Sequence, residues 1–343
     1  MSNMSRRDLL VSMAIAPIAR AFKPQAAAPT IRVRTLSHFG LQVADVKRSV
    51  DFYQGLFGMP IQAHAGENTI LRIGAGPQFI SIAPAGGAAP SINHYCLGVE
   101  GFNVDRVLAA LAAHGITKAD ATAVMKVAVS TRDGGTPDLL FGDPDGIVCQ
   151  LQDATYCGGT GPLGNRCPNV EPSPKKGLIA LKDLSHLTIF SGDAARSNKF
   201  YQEIFGMPYR SYQGPTAPTL AIGPTVEFLM LTGGGPGGGG ASAPPRAASI
   251  NHYCMNLEKF NADQILKTLE SYGVKPRENA TGAVGPMRHY LSMRMENRGG
   301  AKEGTPELYF TDPDGILVQL QDVSYCGGGG VLGNVCPPIQ ASR

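Results

Sequence analysis

One segment occurs twice in this 343-residue chain, and that duplication limits its possible folds more than any other feature. FGDPDGIVCQLQDATYCGGTGPLGNRC spans 141–167 and FTDPDGILVQLQDVSYCGGGGVLGNVC spans 310–336. In each copy Asp-Pro-Asp-Gly supplies a proline that presets φ and a glycine that accepts positive φ. A tight turn therefore delivers the chain into a strand that alternates apolar and amide residues. Two further stretches share the duplication: 36–60 matches 184–208, and 91–115 matches 249–273. The offset grows from 148 to 158 to 169 along the chain, so insertions of ten and eleven residues separate the halves. A repeat of this length predicts two copies of one supersecondary plan.

Within each half the plan also runs twice. Residues 36–44 alternate as a strand. Residues 46–57 carry Val46, Val50, Tyr53 and Phe57 at helical spacing and stop at Gly58. Strand candidates follow near 60–64, 69–74 and 78–83. The second unit begins with a strand at 92–99, continues as a helix at 103–114 that stops at Gly115, and ends in strands near 125–131, 138–142 and 147–152. Helices near 194–205 and 261–272 repeat the arrangement. The pattern predicts an α+β protein of four βαβββ units. Expected boundaries are an N-terminal segment 1–30, a first domain 33–167, a linker 168–182 punctuated by Pro and Lys, a second domain 183–336 and a tail 337–343. The glycine-rich stretch 233–245 reads as a loop within the second domain, and a further insertion lies around 281–303.

A net charge of +3, scattered Lys and Arg and the absence of Trp leave no basic, aromatic-interleaved surface for nucleic acid. The expected partner is a small-molecule substrate. The first 30 residues read differently: Ser5-Arg6-Arg7-Asp8-Leu9-Leu10 leads into a short apolar run and then Ala26-Ala27-Ala28. This resembles an export signal of the twin-arginine type, which implies a periplasmic or extracellular protein. The run is too short to cross a bilayer, so the mature chain is expected to have no membrane span. In an oxidising compartment the ten-residue spacing of Cys157 and Cys167, and of Cys326 and Cys336, predicts two local disulfides. A zinc site at these cysteines is the weaker alternative, because zinc knuckles use shorter spacing and no His lies nearby.

Four of the seven histidines, His38, His94, His186 and His252, fall at the same station of four first strands. Period-two alternation places His38 on one face with Leu36, Gly40 and Gln42, and leaves Phe39, Leu41 and Val43 on the other. It places Gln150 and Gln319 on one face of each half's last strand. Gln152 and Gln321 share those faces, so a register slip would exchange the pairs. Two imidazoles and an amide oxygen suit a divalent metal ion, zinc or else iron, manganese or nickel, with positions left open for substrate.

The βαβββ repeat, the F-Y-x-x-x-F-G-M-P helix end and the F-x-D-P-D-G-x-x-x-Q-L strand resemble the vicinal oxygen chelate superfamily, which includes glyoxalase I, bleomycin-resistance proteins and extradiol dioxygenases. The resemblance spans nearly all of 33–325. It implies tandem domains with cup-shaped sheets, and metal ligands His38, His94 and Gln150 in the first half and His186, His252 and Gln319 in the second. Most metal-binding relatives have Glu where this chain has Gln150 and Gln319. The glyoxalase type adds a ligand from the fourth strand, where this chain has Ser81 and Met230, so a four-ligand site is disfavoured. The ring-cleaving type places a Tyr ten residues before the last ligand, as Tyr309 stands before Gln319, whereas the first half has Leu140 there. That type also carries a proton-shuttling His between the two ligand histidines, which this chain lacks. His289, on the second insertion, is the remaining candidate acid or base. The resemblance therefore implies an extradiol ring-cleaving dioxygenase acting on two vicinal oxygens. The alternatives are a glyoxalase-like lyase or isomerase, and a non-catalytic periplasmic small-molecule binder.

Overall fold

The computed structural model describes residues 31–132, 134–233 and 247–339. Residues 1–30, expected to form an export signal, and most of the glycine-rich stretch lie outside the described residues. The first half runs β1 (Val33–Val43), α1 (Val46–Phe57), β2 (Ile61–Ala65), β3 (Asn68–Arg72), β4 (Phe79–Pro84), β5 (Ser91–Val99), α2 (Val104–Ala113), β6 (Thr117–Lys118), β7 (Lys126–Thr131), β8 (Pro137–Gly142) and β9 (Val148–Asp153). The second half repeats it as β10 (Leu184–Ser191), α3 (Ala194–Phe205), β11 (Tyr209–Tyr212), β12 (Pro218–Ala221), β13 (Phe228–Gly233), β14 (Ser249–Leu257), α4 (Ala262–Ser271), β15 (Lys275–Pro276), β16 (Arg288–Arg294), β17 (Thr305–Thr311) and β18 (Leu317–Asp322). Each half is a nine-stranded mixed sheet, ordered β2-β3-β4-β1-β5-β9-β8-β7-β6 and β11-β12-β13-β10-β14-β18-β17-β16-β15. The first strand of each unit pairs in parallel with its last, and the two units of a half join through the antiparallel pairs β1/β5 and β10/β14. The two-residue edge strands β6 and β15 are too short for a periodic signal, and sequence reading misses them.

Each helix starts where a short polar side chain can cap it. Asp45, Asn103, Asp193 and Asn261 each accept the backbone N–H three residues on, which is worth about 0.5–2 kcal/mol per cap. Gly58 and Gly206 end α1 and α3 in the left-handed conformation. One face of each sheet is apolar and meets the helices, with Phe39, Leu41 and Val43 of β1 fully buried there. The opposite face forms the cup that carries the polar candidates. Leu36 departs from the alternation: a register shift between Leu36 and His38 returns it to the core while His38 keeps the cup.

The two halves share one continuous core. Helix α1 lays Phe52 and Phe57 against Phe310 of the other half, at ring-centroid distances of 6.3 and 5.9 Å. Helix α3 lays Phe200 and Phe205 against Phe141, at 6.4 and 6.2 Å. Both Asp-Pro-Asp-Gly turns serve as docking points. Asp312 Oδ1 accepts the N–H groups of Asp314 and Ile316, closing its own turn, while its Oδ2 accepts the Tyr53 hydroxyl at 3.0 Å. Asp143 does the same for Asp145 and Ile147 and for Tyr201 at 2.9 Å. Arg48 and Ser49 bind Asp314, as Arg196 and Ser197 bind Asp145. The stretch 168–182 is packed as well: the Leu178 and Ile179 N–H groups both bond the Leu56 carbonyl.

A shared core predicts that the halves melt together. Phe310→Ala empties a buried ring site touched by both halves and is expected to cost about 3–5 kcal/mol. Calorimetry should show one transition moved to lower temperature, and two resolved transitions would contradict the shared core.

Candidate metal centre

The first strands set the deepest imidazoles. His38 stacks on Phe79 at 4.2 Å and 10°, and His186 on Phe228 at 4.3 Å and 8°. Ser37 and Ser185 hydroxyls stand 3.3 and 3.0 Å from their Nδ1 atoms. Burial, reinforced by the neighbouring imidazole, holds both rings well below the ordinary histidine range, so each is neutral and can offer a lone pair.

The second imidazole of each half belongs to the repeated SINHYC stretch. Asn93 Oδ1 lies 2.7 Å from His94 Nδ1, and Asn251 Oδ1 lies 2.7 Å from His252 Nδ1. A carbonyl oxygen can only accept, so Nδ1 carries the hydrogen and Nε2 keeps its lone pair, as a metal-ligating imidazole requires. Burial pushes His94 and His252 down to about 4. Within each half the two rings meet edge to face, with centroids 5.4 and 5.7 Å apart.

One difference between the cups lies opposite the second imidazole. In the first half a Cβ built on Gly40 would lie 2.1 Å from His94 Cε1, so only glycine lets the ring lie there. His94 Nε2 then comes within 3.3 Å of His38 Nε2. In the second half Thr188 stands opposite His252, as Gly40 stands opposite His94. That space is not open to His252, which meets Tyr309 edge-on at 5.3 Å instead. Its Nε2 is buried and has no hydrogen-bond partner among the described residues.

The glutamines complete each set. Gln319 Oε1 accepts from His186 Nε2 at 3.1 Å, so that nitrogen carries the hydrogen here, and Gln319 Nε2 is buried without a partner among the described residues. Gln150 donates its amide to Asp138. Gln152 and Gln321 instead donate to the carbonyls of Pro137 and Pro306, at 2.8 and 3.2 Å, so the outer glutamines are tied to neighbouring strands. Among the described residues no group of three or more His, Cys, Asp or Glu side chains could hold a metal. Any ion here needs the amide oxygen, and two neutral imidazoles with one amide carbonyl fit a divalent cation without neutralising it.

Each cup also holds an Arg–carboxylate–Tyr network that sequence reading missed. Arg294 Nε donates to Glu307 Oε1 at 2.7 Å, the Tyr325 hydroxyl donates to the same oxygen at 3.0 Å, and Arg294 Nη2 donates to the Gly328 carbonyl at 2.9 Å. The first half repeats this with Arg132 donating to Asp138, at 3.0 Å, and to the Tyr156 hydroxyl. Tyr156 and Tyr325 immediately precede Cys157 and Cys326, and their rings tilt against His38 and His186 at 5.6 and 5.5 Å. The disulfides Cys157–Cys167 and Cys326–Cys336 are both formed and close the loops that hold these tyrosines. Thr136 and Thr305 hydroxyls pin the loops by donating to Gly161 and Gly330 carbonyls at 2.6 and 2.7 Å. Two such bonds suggest an oxidising environment.

In the second half Tyr309 points its hydroxyl at Glu307 Oε2, 3.4 Å away. Burial and that carboxylate hold the phenol well above its ordinary range, so it remains a donor. A cavity of about 110 Å³ is bounded by His186, His252, Gln319, Glu307, Tyr309 and Arg298, among others. His289 is not brought to this site. On β16 it is Tyr290 that faces the cup, stacking on Tyr309 at 4.9 Å, and alternation turns His289 to the helix side, 3.3 Å from Glu270 of α4. The expectation of His289 as acid or base is corrected accordingly.

The family model of the Glyoxalase/Bleomycin resistance protein/Dioxygenase superfamily matches residues 35–151 and 183–320. Among solved structures, the chain resembles the Mn(II)-bound glyoxalase from Novosphingobium aromaticivorans at 16% identity and TM-score 0.58, covering 84% of this chain and 82% of that one. It resembles a catechol 2,3-dioxygenase at 15% identity and TM-score 0.57, covering 91% of each chain. It resembles the 2,3-dioxygenase LapB from Pseudomonas sp. KL28 at 15% identity and TM-score 0.58, covering 85% of this chain and 93% of that one. No curated protein matches significantly. With both of its halves matched, and with the sheet order and paired strand histidines described above, the chain belongs to the Glyoxalase/Bleomycin resistance protein/Dioxygenase superfamily.

Proposed function

We propose that the chain is a divalent-metal-dependent enzyme whose working site is the second-half cup, and that it cleaves an aromatic ring beside two vicinal oxygens in the extradiol manner. The observation that supports this most is His252: its Nδ1 is fixed as the donor to Asn251, and its Nε2 lone pair is buried and unpartnered beside a cavity that Tyr309 also lines. His252 Nε2, Gln319 Oε1 and His186 Nε2, the last once its hydrogen passes to Nδ1 beside the Ser185 hydroxyl, would hold the ion. Bound there, iron or manganese would polarise the two substrate oxygens and supply the redox partner for O₂.

The chain's own residues handle orientation and protons. Tyr309 offers its phenol hydrogen to a substrate oxygen, and Glu307 stands behind it as the acceptor. Arg294 holds that carboxylate in place, which preorganises the pair. Phe228 and Tyr325 wall the His186 ring and exclude water from that side. The cup holds no third imidazole among the described residues, so the tyrosine and carboxylate take the acid–base role. The first cup lacks this pair, because Leu140 faces Gln150 where Tyr309 faces Gln319. We assign it no turnover. Glu307 at the cavity also favours a second reading, a glyoxalase-like isomerisation with the carboxylate as base. The disulfides and the Arg6-Arg7 segment support an exported protein.

Uptake of O₂ with catechol and Fe(II) is the expected activity. Turnover of an α-hydroxy ketone without O₂ uptake would select the isomerase, and purified chain that neither contains nor gains a transition metal would leave only a binder. His252→Ala is expected to remove the second-half metal by elemental analysis while the circular dichroism spectrum stays unchanged, and global unfolding would make the residue structural. Asn251→Ala releases the tautomer and should weaken metal affinity roughly 10–100-fold. Tyr309→Phe is expected to lower turnover roughly 10²-fold at unchanged metal content, and full turnover would remove it from the mechanism.

A further inference from the structure

A larger cavity, of about 890 Å³, lies at the seam between the halves and has no lining residue in common with the cup. The first half bounds it with Pro90, Ser91 and Ile92, and the second half with the ends of β10, β14 and β18 and with the loop that joins β15 to β16. Most of its lining side chains are apolar, and among the described residues Arg277 is the only charged one.

That guanidinium is fixed in place. Its Cζ stands 4.7 Å from the centroid of the Tyr290 ring, and its Nη2 donates to the Gly282 carbonyl at 3.2 Å. Tyr290 and Gly282 both line the cavity. The loop itself is pinned at its two ends, because the Arg277 N–H donates to the His289 carbonyl at 2.9 Å and the Thr311 hydroxyl donates to the Gly285 carbonyl at 2.7 Å. No described carboxylate pairs with Arg277, since the adjacent Glu278 is taken by Arg288. The first half has no counterpart. Ala119 makes the same backbone bond there, to the Val127 carbonyl at 2.9 Å, and Ala128 stands opposite Leu140 as Tyr290 stands opposite Tyr309.

We propose that this seam cavity is a binding site for a monocarboxylate with an apolar body, separate from the cup and independent of the reaction assigned to it. A guanidinium seated over an aromatic ring pairs with a carboxylate through charge-assisted hydrogen bonds. The volume is that of a small-molecule site, and the apolar walls would cover the rest of the ligand. A neutral ligand would leave the cation unanswered, and a second charge on the ligand would lie unpaired against apolar walls. Two walls separate this site from the cup. Asn251 holds His252 Nδ1 at 2.7 Å, and Tyr290 stacks on Tyr309 at 4.9 Å.

Full-length chain stripped of metal by a chelator would be titrated calorimetrically with octanoate, octanamide and acetate, beside Arg277→Gln, Arg277→Lys and Ser91→Glu. The wild type is expected to bind octanoate roughly 10–100-fold more tightly than either other probe. Arg277→Gln should bring octanoate down to the octanamide level, with Arg277→Lys in between. Ser91 is exposed on the first-half wall, so a carboxylate placed there should weaken octanoate roughly fivefold by repulsion. Absent octanoate binding, equal binding by Arg277→Gln, or acetate as tight as octanoate overturns the site. An unchanged affinity in Ser91→Glu, or binding that appears only after metal is restored, places the ligand elsewhere and overturns it as well.

Discussion

The aspartate that opens each Asp-Pro-Asp-Gly turn holds the molecule together at the place where the metal candidates are set. One oxygen closes its own turn and the other receives a tyrosine from the opposite half. Burial pushes Asp312 up to about 6, yet it remains paired on both sides, so removing either partner would expose a buried acceptor at real cost. The turn leads straight into β18, and Gln319 follows on it. The amide's register therefore depends on a contact made by the other half's helix. This couples the halves more tightly than a tandem repeat requires, and explains why α1 and α3 bury their aromatic faces across the seam.

Against that common frame, a few substitutions separate one cup from the other. Gly40 lets His94 lie flat on its neighbouring strand and turn its nitrogen toward His38, whereas Thr188 keeps His252 facing the cavity. Asp138 becomes Glu307, one methylene longer, and the extra reach brings an oxygen to the Tyr309 hydroxyl. Leu140 in the first half offers no such group. Duplication preserved the donor set in both halves, and divergence within hydrogen-bonding distance of it gave the second half the Tyr309–Glu307 pair.

The repeat made much of this legible in the chain. Period-two strands and glycine-stopped helices mark the four units, and the equivalence of His38, His94, His186 and His252 follows from matching contexts alone. Periodicity failed where backbone irregularity intervened, as at Leu36, where a register shift breaks the alternation. It also failed where a position was judged by residue type without its strand phase. His289 looked like a spare base, but Tyr290 takes the cup-facing station beside it. Asn93 and Asn251 were visible as part of a repeated stretch, and their place before each histidine was the available signal. The Arg–carboxylate–Tyr networks were not legible, because Arg294 lies thirteen residues from Glu307 and eighteen separate Glu307 from Tyr325, across turns whose pairing only the fold defines.

The amide in place of a carboxylate has a consequence for charge. Two neutral imidazoles and Gln319 would leave a divalent ion with its full charge, and Glu307 cannot offset it because Arg294 already holds that carboxylate. An ion held there would be a concentrated positive charge beside Phe228 and Tyr325, where low polarity strengthens attraction for an anion. Replacing Gln319 by Glu would restore the commoner ligand and bind the ion harder, while lowering the positive potential that draws an anionic substrate. With an ion bound, the glutamine would trade metal affinity for attraction to substrate, a trade that gains something only where the substrate is negatively charged.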